Sequence, residues 1–285
     1  MQNPHAPANA DNTVEIFAIG NELLVGQVLD TNTHWLIRSF TGLGAHVRRT
    51  AMVRDDYDEI GQELHAAVVR GPRLIVTTGG LGPTDDDLTL RAISIAFDRP
   101  LSEHAQALAW VAQRYEHLAT IRPNFNGDLT ESRRKMALFP AGTQPIYNPS
   151  GAAPAMVFEA AAGVAIVALP GVPSEMKDIF TQSLQPVLAA SIGMGGHVER
   201  IIVLEQGDES RLAPALQTVQ VKHPTVYVKS RGQDFSDGRR LTVVLSRGGS
   251  SLEEIRAAVR ATETDAIEGL LALGYTVLRV VGDDT

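Results

Sequence analysis

From Val14 onward the chain alternates short, nearly all-apolar runs with segments of helical period, and that alternation admits few folds. VEIFAIG reads as a strand ending in glycine, and DTNTHWLIRSFTGLG as a helix carrying Leu36, Ile37, Phe40 and Leu43 on one face. HVRRTAMV is a second strand, and DDYDEIGQELHAAVVRG a second helix with Ile60, Leu64, Ala67 and Val68 turned inward. PRLIVTTGG is a third strand, apolar enough to be covered on both faces. Strands joined through helices call for right-handed crossovers, so the expectation is an α/β fold with a doubly wound, mostly parallel sheet. Helical segments from Asp87 and Ser102 follow, then a proline-rich crossing and the strands PAMVFE and VAIVALPG. The helix PSEMKDIFTQSLQPVLAAS closes a first domain predicted over residues 13–190, with SIGMGG as linker.

Beyond the linker the order changes to strand, helix, strand, strand, helix, strand, from VERIIVLE to YTVLRVV. This is the split β-α-β order, which predicts a second, smaller α+β domain over residues 191–285. Ahead of the first strand, MQNPHAPANADN has neither a basic start nor an apolar run, so residues 1–12 are expected to be a disordered tail and no secretion signal. No stretch approaches the ~20 apolar residues of a membrane span. The chain holds 25 Lys plus Arg against 33 Asp plus Glu, a formal charge of -8. That surface disfavours nucleic acid and anionic membranes as partners. With no cysteine, disulfides, thiolate metal sites and a cysteine nucleophile are all excluded, which fits a reducing cytoplasm. The smaller domain is assigned to packing or to a homo-oligomer, a dimer in the first instance.

Ligands of open α/β sheets gather beyond the carboxyl ends of the strands. One stretch there is TTGGLGPTDDDLT, residues 77–89. Gly79, Gly80 and Gly82 can let backbone N–H groups converge on an anion, and a helix beginning near Asp85 would aim its positive end at the same place. Phosphate is the ligand such a loop suits. Asp85, Asp86 and Asp87 then pose a conflict, because carboxylates repel phosphate. Capping of the helix explains one aspartate but not three. A divalent cation such as Mg²⁺, Mn²⁺ or Co²⁺, held by Asp85, Asp86 or Asp87 and by phosphate oxygens, turns the repulsion into a bridge. Consecutive helical residues point about 100° apart, so spacing does not choose among the three. The stretch GNELLVGQVLDTNT adds Gly20, Asn21 and Glu22 after the first strand, with Asp30 and Asn32 at the next helix start, where capping is the plain alternative. NPSGAAPA and LPGVPSEMK contribute Asn148, Gly151, Gly171 and Lys177. Lys177 lies where the helix dipole disfavours a cation, a placement that would serve an anionic ligand.

Together GNELLVGQVLDTNTHWL, GGLGPTDDDLT, NPSGAAPAMVFE and LPGVPSEMKDIF resemble the amino-terminal domain of competence/damage-inducible protein A (CinA), a relative of the molybdopterin-binding MoaB and Mog domains. The resemblance runs from about residue 13 to 180. It implies a domain that binds a nucleotide or pterin phosphate, with metal-dependent ADP-ribose pyrophosphatase activity. The phosphate loop it implies is Gly79, Gly80, Gly82 and Thr84, with Asp86 and Asp87 as acids and Glu22 on the facing loop. Lys177 joins them as the cation neutralising developing phosphate charge. A molybdopterin-binding protein without turnover is the alternative. The deamidase domain of longer relatives has no counterpart in the residues present, so nicotinamide mononucleotide deamidation is not expected. Two positions depart from the family pattern: Asn21 replaces a common threonine, and Asp85 a basic or imidazole residue.

Overall fold

The computed structural model describes residues 12–192, 196–205, 209–235, 238–249 and 251–282. It divides into two compact units, one of Thr13–Ser39 with Val47–Ile192, the other of Phe40–His46 with Gly193–Thr285 and Met1–Asn12. The expected tail lies outside the described residues apart from Asn12, as do residues 193–195 of the expected linker.

The first unit is built on a six-stranded sheet. Its strands are β1 (Thr13–Ile19), β2 (His46–Val53), β3 (Leu74–Thr78), β6 (Gln144–Ile146), β7 (Ala155–Ala161) and β8 (Val164–Leu169), in the order β2-β1-β3-β8-β7-β6. β1, β3 and β8 are parallel, β7 runs antiparallel to β8, and edge strand β6 runs antiparallel to β7. Every residue of TVEIFAI and LIVTT is buried, as strands covered on both faces require. Glu15 is the exception among the apolar residues of β1: its fully buried carboxylate lies between Arg48 and Arg70, at 2.7 and 2.6 Å.

Helix α2 (Thr31–Gly42) follows the four-residue turn α1 (Asn21–Leu24), and α3 (Tyr57–Arg70) follows β2. The Asp56 side chain accepts from the N–H groups of Asp58 and Glu59, and Gly71 closes α3 at φ 66°. Three helical expectations are corrected. The helix expected near Asp85 begins at Thr89, as α4 (Thr89–Ala96), and the one from Ser102 begins at Ala105, as α5 (Ala105–Ile121), after a short strand β4 (Leu101–Glu103). The proline-rich crossing contains α6 (Glu131–Lys135) and the short β5 (Leu138–Pro140), which pairs with β4. The long final helix is broken into α7 (Pro173–Asp178), a π-helical turn (Ile179–Leu184) and α8 (Gln185–Ile192). Pro186 has no N–H to continue the α-helical ladder, so the turn before it widens.

The second unit follows the predicted order: β9 (Gly196–Leu204), α9 (Glu209–Lys222), β10 (Tyr227–Phe235), β11 (Gly238–Gly249), α10 (Leu252–Ala272) and β12 (Val277–Val281). Its sheet runs β10-β11-β9-β12, all neighbours antiparallel. Ile202, Leu204, Leu212, Leu245, Val259 and Leu270 form its fully buried centre. Among the described residues no helix is long and apolar enough to cross a membrane.

Candidate functional site

The parallel registers run level, Ala18 beside Thr78 and Thr78 beside Leu169, so β1, β3 and β8 end together. The loops leaving these three ends enclose a cavity of about 460 Å³. That lies within the ~300–1,000 Å³ common for small-molecule sites. Of the residues singled out in the sequence, Gly20, Glu22, Gly79, Gly80, Gly82, Asp86, Asp87 and Gly171 line it.

One wall is backbone. Gly79 and Gly80 adopt φ of 113° and 68°. A Cβ on Gly79 would lie 2.1 Å from the Ile19 carbonyl oxygen, and one on Gly80 2.3 Å from Thr89 Oγ1. The turn therefore requires glycine twice. Thr89 holds it closed, its hydroxyl donating to Gly79 O at 2.8 Å and its N–H to Gly80 O at 3.1 Å. The Gly79 N–H is spent on Leu169 O, whereas those of Gly80, Leu81 and Gly82 carry no partner among the described residues. Successive unpaired N–H groups in such a turn form an anion-binding concavity.

The three aspartates sit in the turn before α4 and not on it. Capping is therefore excluded: the residue before the helix is Leu88, no side chain caps it, and its first turn holds no acid. Asp87 instead accepts from the N–H and hydroxyl of Thr84 at 2.9 and 2.6 Å, and the same hydroxyl contacts Asp86 Oδ1. That hydrogen bond, with Asp86's own N–H and the charge of Lys135, holds the Asp86 carboxyl below the usual carboxylate range. Thr84 is corrected from phosphate ligand to brace, because its N–H and hydroxyl are both engaged and its carbonyl accepts from Lys135. Asp85 turns away to line a neighbouring pocket with Arg91 and Lys135.

The cavity is also lined by two carboxylates that the sequence did not single out, Asp55 and Glu175, together with Glu22. Asp55 follows β2 as Glu22 follows β1, a strand-end position that would have found it had the DDYDE acids not been taken for the start of α3. Burial pushes the Asp55 carboxyl above its ordinary range. The Asn21 N–H, donating to Oδ2 at 2.8 Å, opposes this, and the charges of Glu22, Asp86 and Asp87 reinforce it. Among the described residues no group of three or more His, Cys, Asp or Glu side chains is arranged to hold a metal ion. Of the three aspartates, Asp86 and Asp87 line the cavity and Asp85 lines the neighbouring pocket. Hard cations such as Mg²⁺ are commonly held by one or two carboxylates with the remaining positions filled by water or phosphate oxygens, a donor set to which Asp86 and Asp87 could contribute.

Residues 15–190 match the family model described as "Probable molybdopterin binding domain". The chain belongs to this family. It is 38% identical over 224 residues to a "CinA-like protein" of Prochlorococcus marinus, covering 78% of this chain and 50% of that protein. A protein of Aeropyrum pernix is 42% identical over 251 residues, 87% of this chain and 90% of its own. The crystal structure of CinA from Thermoplasma acidophilum superposes with a TM-score of 0.55 at 33% identity, covering 64% of this chain and 99% of that one. In this CinA-like domain all four stretches that carry the resemblance wall one cavity, through Glu22, Gly80, Ala152 and Glu175 among others.

The remaining expected residues of the CinA-like domain support the cavity without lining it. Asn21 contributes the N–H to Asp55. Asp30 caps α2, accepting from the Thr33 N–H at 2.9 Å, so the plain alternative holds there. Buried Asn32 donates to Thr78 Oγ1 and to Gly171 O, tying the ends of β3 and β8 together. Asn148 uses its whole amide: Oδ1 accepts from Ser150 and Gly151 N–H, while Nδ2 donates to Ala153 O and to Glu175 Oε2 at 2.7 Å. Gly151 lies so close that a Cβ would come within 1.9 Å of the Glu175 carboxylate. Lys177 is corrected: its ammonium lies 6.0 Å from the Trp35 ring centre, and the residue does not line the cavity. Two helical residues beyond Glu175 it points about 200° away, so α7 turns a carboxylate to the cavity where an ammonium was expected.

Proposed function

We propose that this domain hydrolyses the pyrophosphate bond of a nucleotide such as ADP-ribose, giving AMP and ribose 5-phosphate, with a divalent cation accompanying the diphosphate. The observation that carries the reading is a single cavity whose lining combines a glycine turn with unpaired backbone N–H groups and a carboxyl whose pKa is raised by burial. The N–H groups of Gly80, Leu81 and Gly82 receive the phosphate oxygens that gain charge as the bond breaks. Asp55, poised closer to neutrality than an ordinary aspartate, takes a proton from water as its oxygen bonds to phosphorus. The bridging P–O bond breaks and the second phosphate monoester departs. Glu22 orients the water from the neighbouring turn. Asp86 and Asp87 are the residues that would hold the cation, whose contribution is to neutralise phosphate charge and polarise the phosphoryl group.

The family match favours a second reading, capture of molybdopterin or its adenylylated form by the same loop without turnover. Incubation with ADP-ribose, with and without Mg²⁺, Mn²⁺ or Co²⁺, separates the two when AMP is followed by chromatography. Hydrolysis predicts metal-dependent AMP formation that falls in Glu22→Gln. Intact ADP-ribose under every condition, with molybdopterin bound at the loop, would replace the hydrolase by the binding protein.

A further inference from the structure

A second, smaller cavity of about 190 Å³ adjoins the first, Ala152 lining both. We propose that it is the subsite for the purine ring of the nucleotide, an inference that rests on the diphosphate reading of the main cavity. Helix α5 builds one side. Trp110, Gln113, Arg114 and His117 recur at the three- and four-residue spacings that put side chains on one helical face. Tyr147, just past β6 and 45% exposed, supplies the other side. Its ring meets Trp110 edge to face, centroids 5.3 Å apart and planes at 66°. An edge-to-face pair leaves ring surface uncovered, which a planar heterocycle can stack upon.

The size and the polar groups narrow the ligand. A volume of about 190 Å³ is below that of a whole drug-sized ligand site, so it suits one part of a larger molecule. The lining carries amide, guanidinium and imidazole groups and no carboxylate. Heterocycles with an amino group beside a ring N–H and a carbonyl, guanine and pterin, present adjacent N–H donors that a carboxylate would satisfy. Adenine presents one amino donor beside ring-nitrogen acceptors, which an amide such as Gln113 matches with both its groups. Arg114 is partly committed, its Nη2 donating to the Ser150 carbonyl and so bracing the loop between the cavities. Asn148 fastens the same loop to Glu175 of the main site. A base held here and a diphosphate held at the Gly80–Gly82 turn would be two parts of one substrate.

The chain has two tryptophans, and Trp35 packs edge-on against Phe180, away from this cavity. In a Trp35→Phe variant the emission of Trp110 alone should be quenched by AMP and not by ribose 5-phosphate at equal concentration. If that variant does not fold, the difference between wild type and Trp110→Phe gives the same readout. Trp110→Ala in the wild type should weaken AMP binding on the order of tenfold and raise the KM for ADP-ribose with little change in kcat. Quenching by AMP without any cleavage would leave the purine subsite standing and remove the hydrolase reading. Cleavage with no quenching and an unchanged KM in Trp110→Ala would do the reverse. A soluble pterin that quenches in preference to AMP would overturn the purine assignment.

Discussion

Replacing Asp55 by asparagine is expected to lower the turnover of ADP-ribose by about 10²- to 10⁴-fold, the range for loss of a general base. The change keeps an oxygen to accept from the Asn21 N–H, so the turn should persist. Stability should move the other way. A carboxyl whose folded pKa is raised contributes stability below its unfolded pKa and loses it as pH rises through the folded value. At neutral pH the ionised Asp55 is therefore a cost, imposed by burial and by Glu22, Asp86 and Asp87, and asparagine removes it. A variant with little activity and an unchanged or raised melting temperature identifies a site held for chemistry. One that loses activity only by unfolding would make Asp55 a structural residue. In the active wild type the rate should fall as pH drops through a pKa above the ordinary aspartate range.

The second large effect lies away from the cavity. Glu15→Ala should destabilise the first unit by about 1–3 kcal/mol, the cost of losing its charge-assisted hydrogen bonds while the arginines keep access to solvent. The loss leaves half-buried Arg70 and exposed Arg48 facing an emptied carboxylate position. Burial is the largest single influence on the Glu15 carboxyl and raises it. The hydrogen bonds and charges of Arg70 and Arg48 together outweigh it, so the folded pKa is depressed. The stabilisation is accordingly present above the unfolded value of about 4.3 and lost as pH falls through the folded one. Chemical unfolding of wild type and Glu15→Ala between pH 7 and pH 3 checks this, the gap narrowing toward the acid end. Equal midpoints at pH 7 would show that the arginines find other partners.

The parts of the fold read directly from the sequence are those where one physical rule dominates. TVEIFAI and LIVTT are mostly apolar because both faces are covered, and they became interior strands of the sheet. The split order after residue 196 followed from alternating strand and helix periods alone. Boundaries set by a competing local bond were misread. Asp86 and Asp87 have the composition of a helix start, yet Thr84 claims their carboxylates and delays the helix to Thr89. The site shows the same division. Glycines were legible because Gly79 and Gly80 adopt a backbone that other residues resist. Side-chain direction was not: whether α7 turns Glu175 or Lys177 to the cavity depends on the helix's rotation about its axis, which tertiary packing sets. Asp55 enters the cavity by the adjacency of β2 to β1, a pairing no local pattern announces.

The most direct test of diphosphate hydrolysis in this cavity is the reaction of ADP-ribose in ¹⁸O-labelled water with a divalent cation, the products being weighed by mass spectrometry. Attack of water on phosphorus predicts AMP and ribose 5-phosphate in equal amounts. One labelled oxygen should appear on the phosphate of a single product, and the yield should collapse in Asp55→Asn. Recovery of intact ADP-ribose with the folded wild-type protein, or label on the sugar carbon and none on phosphate, would contradict it.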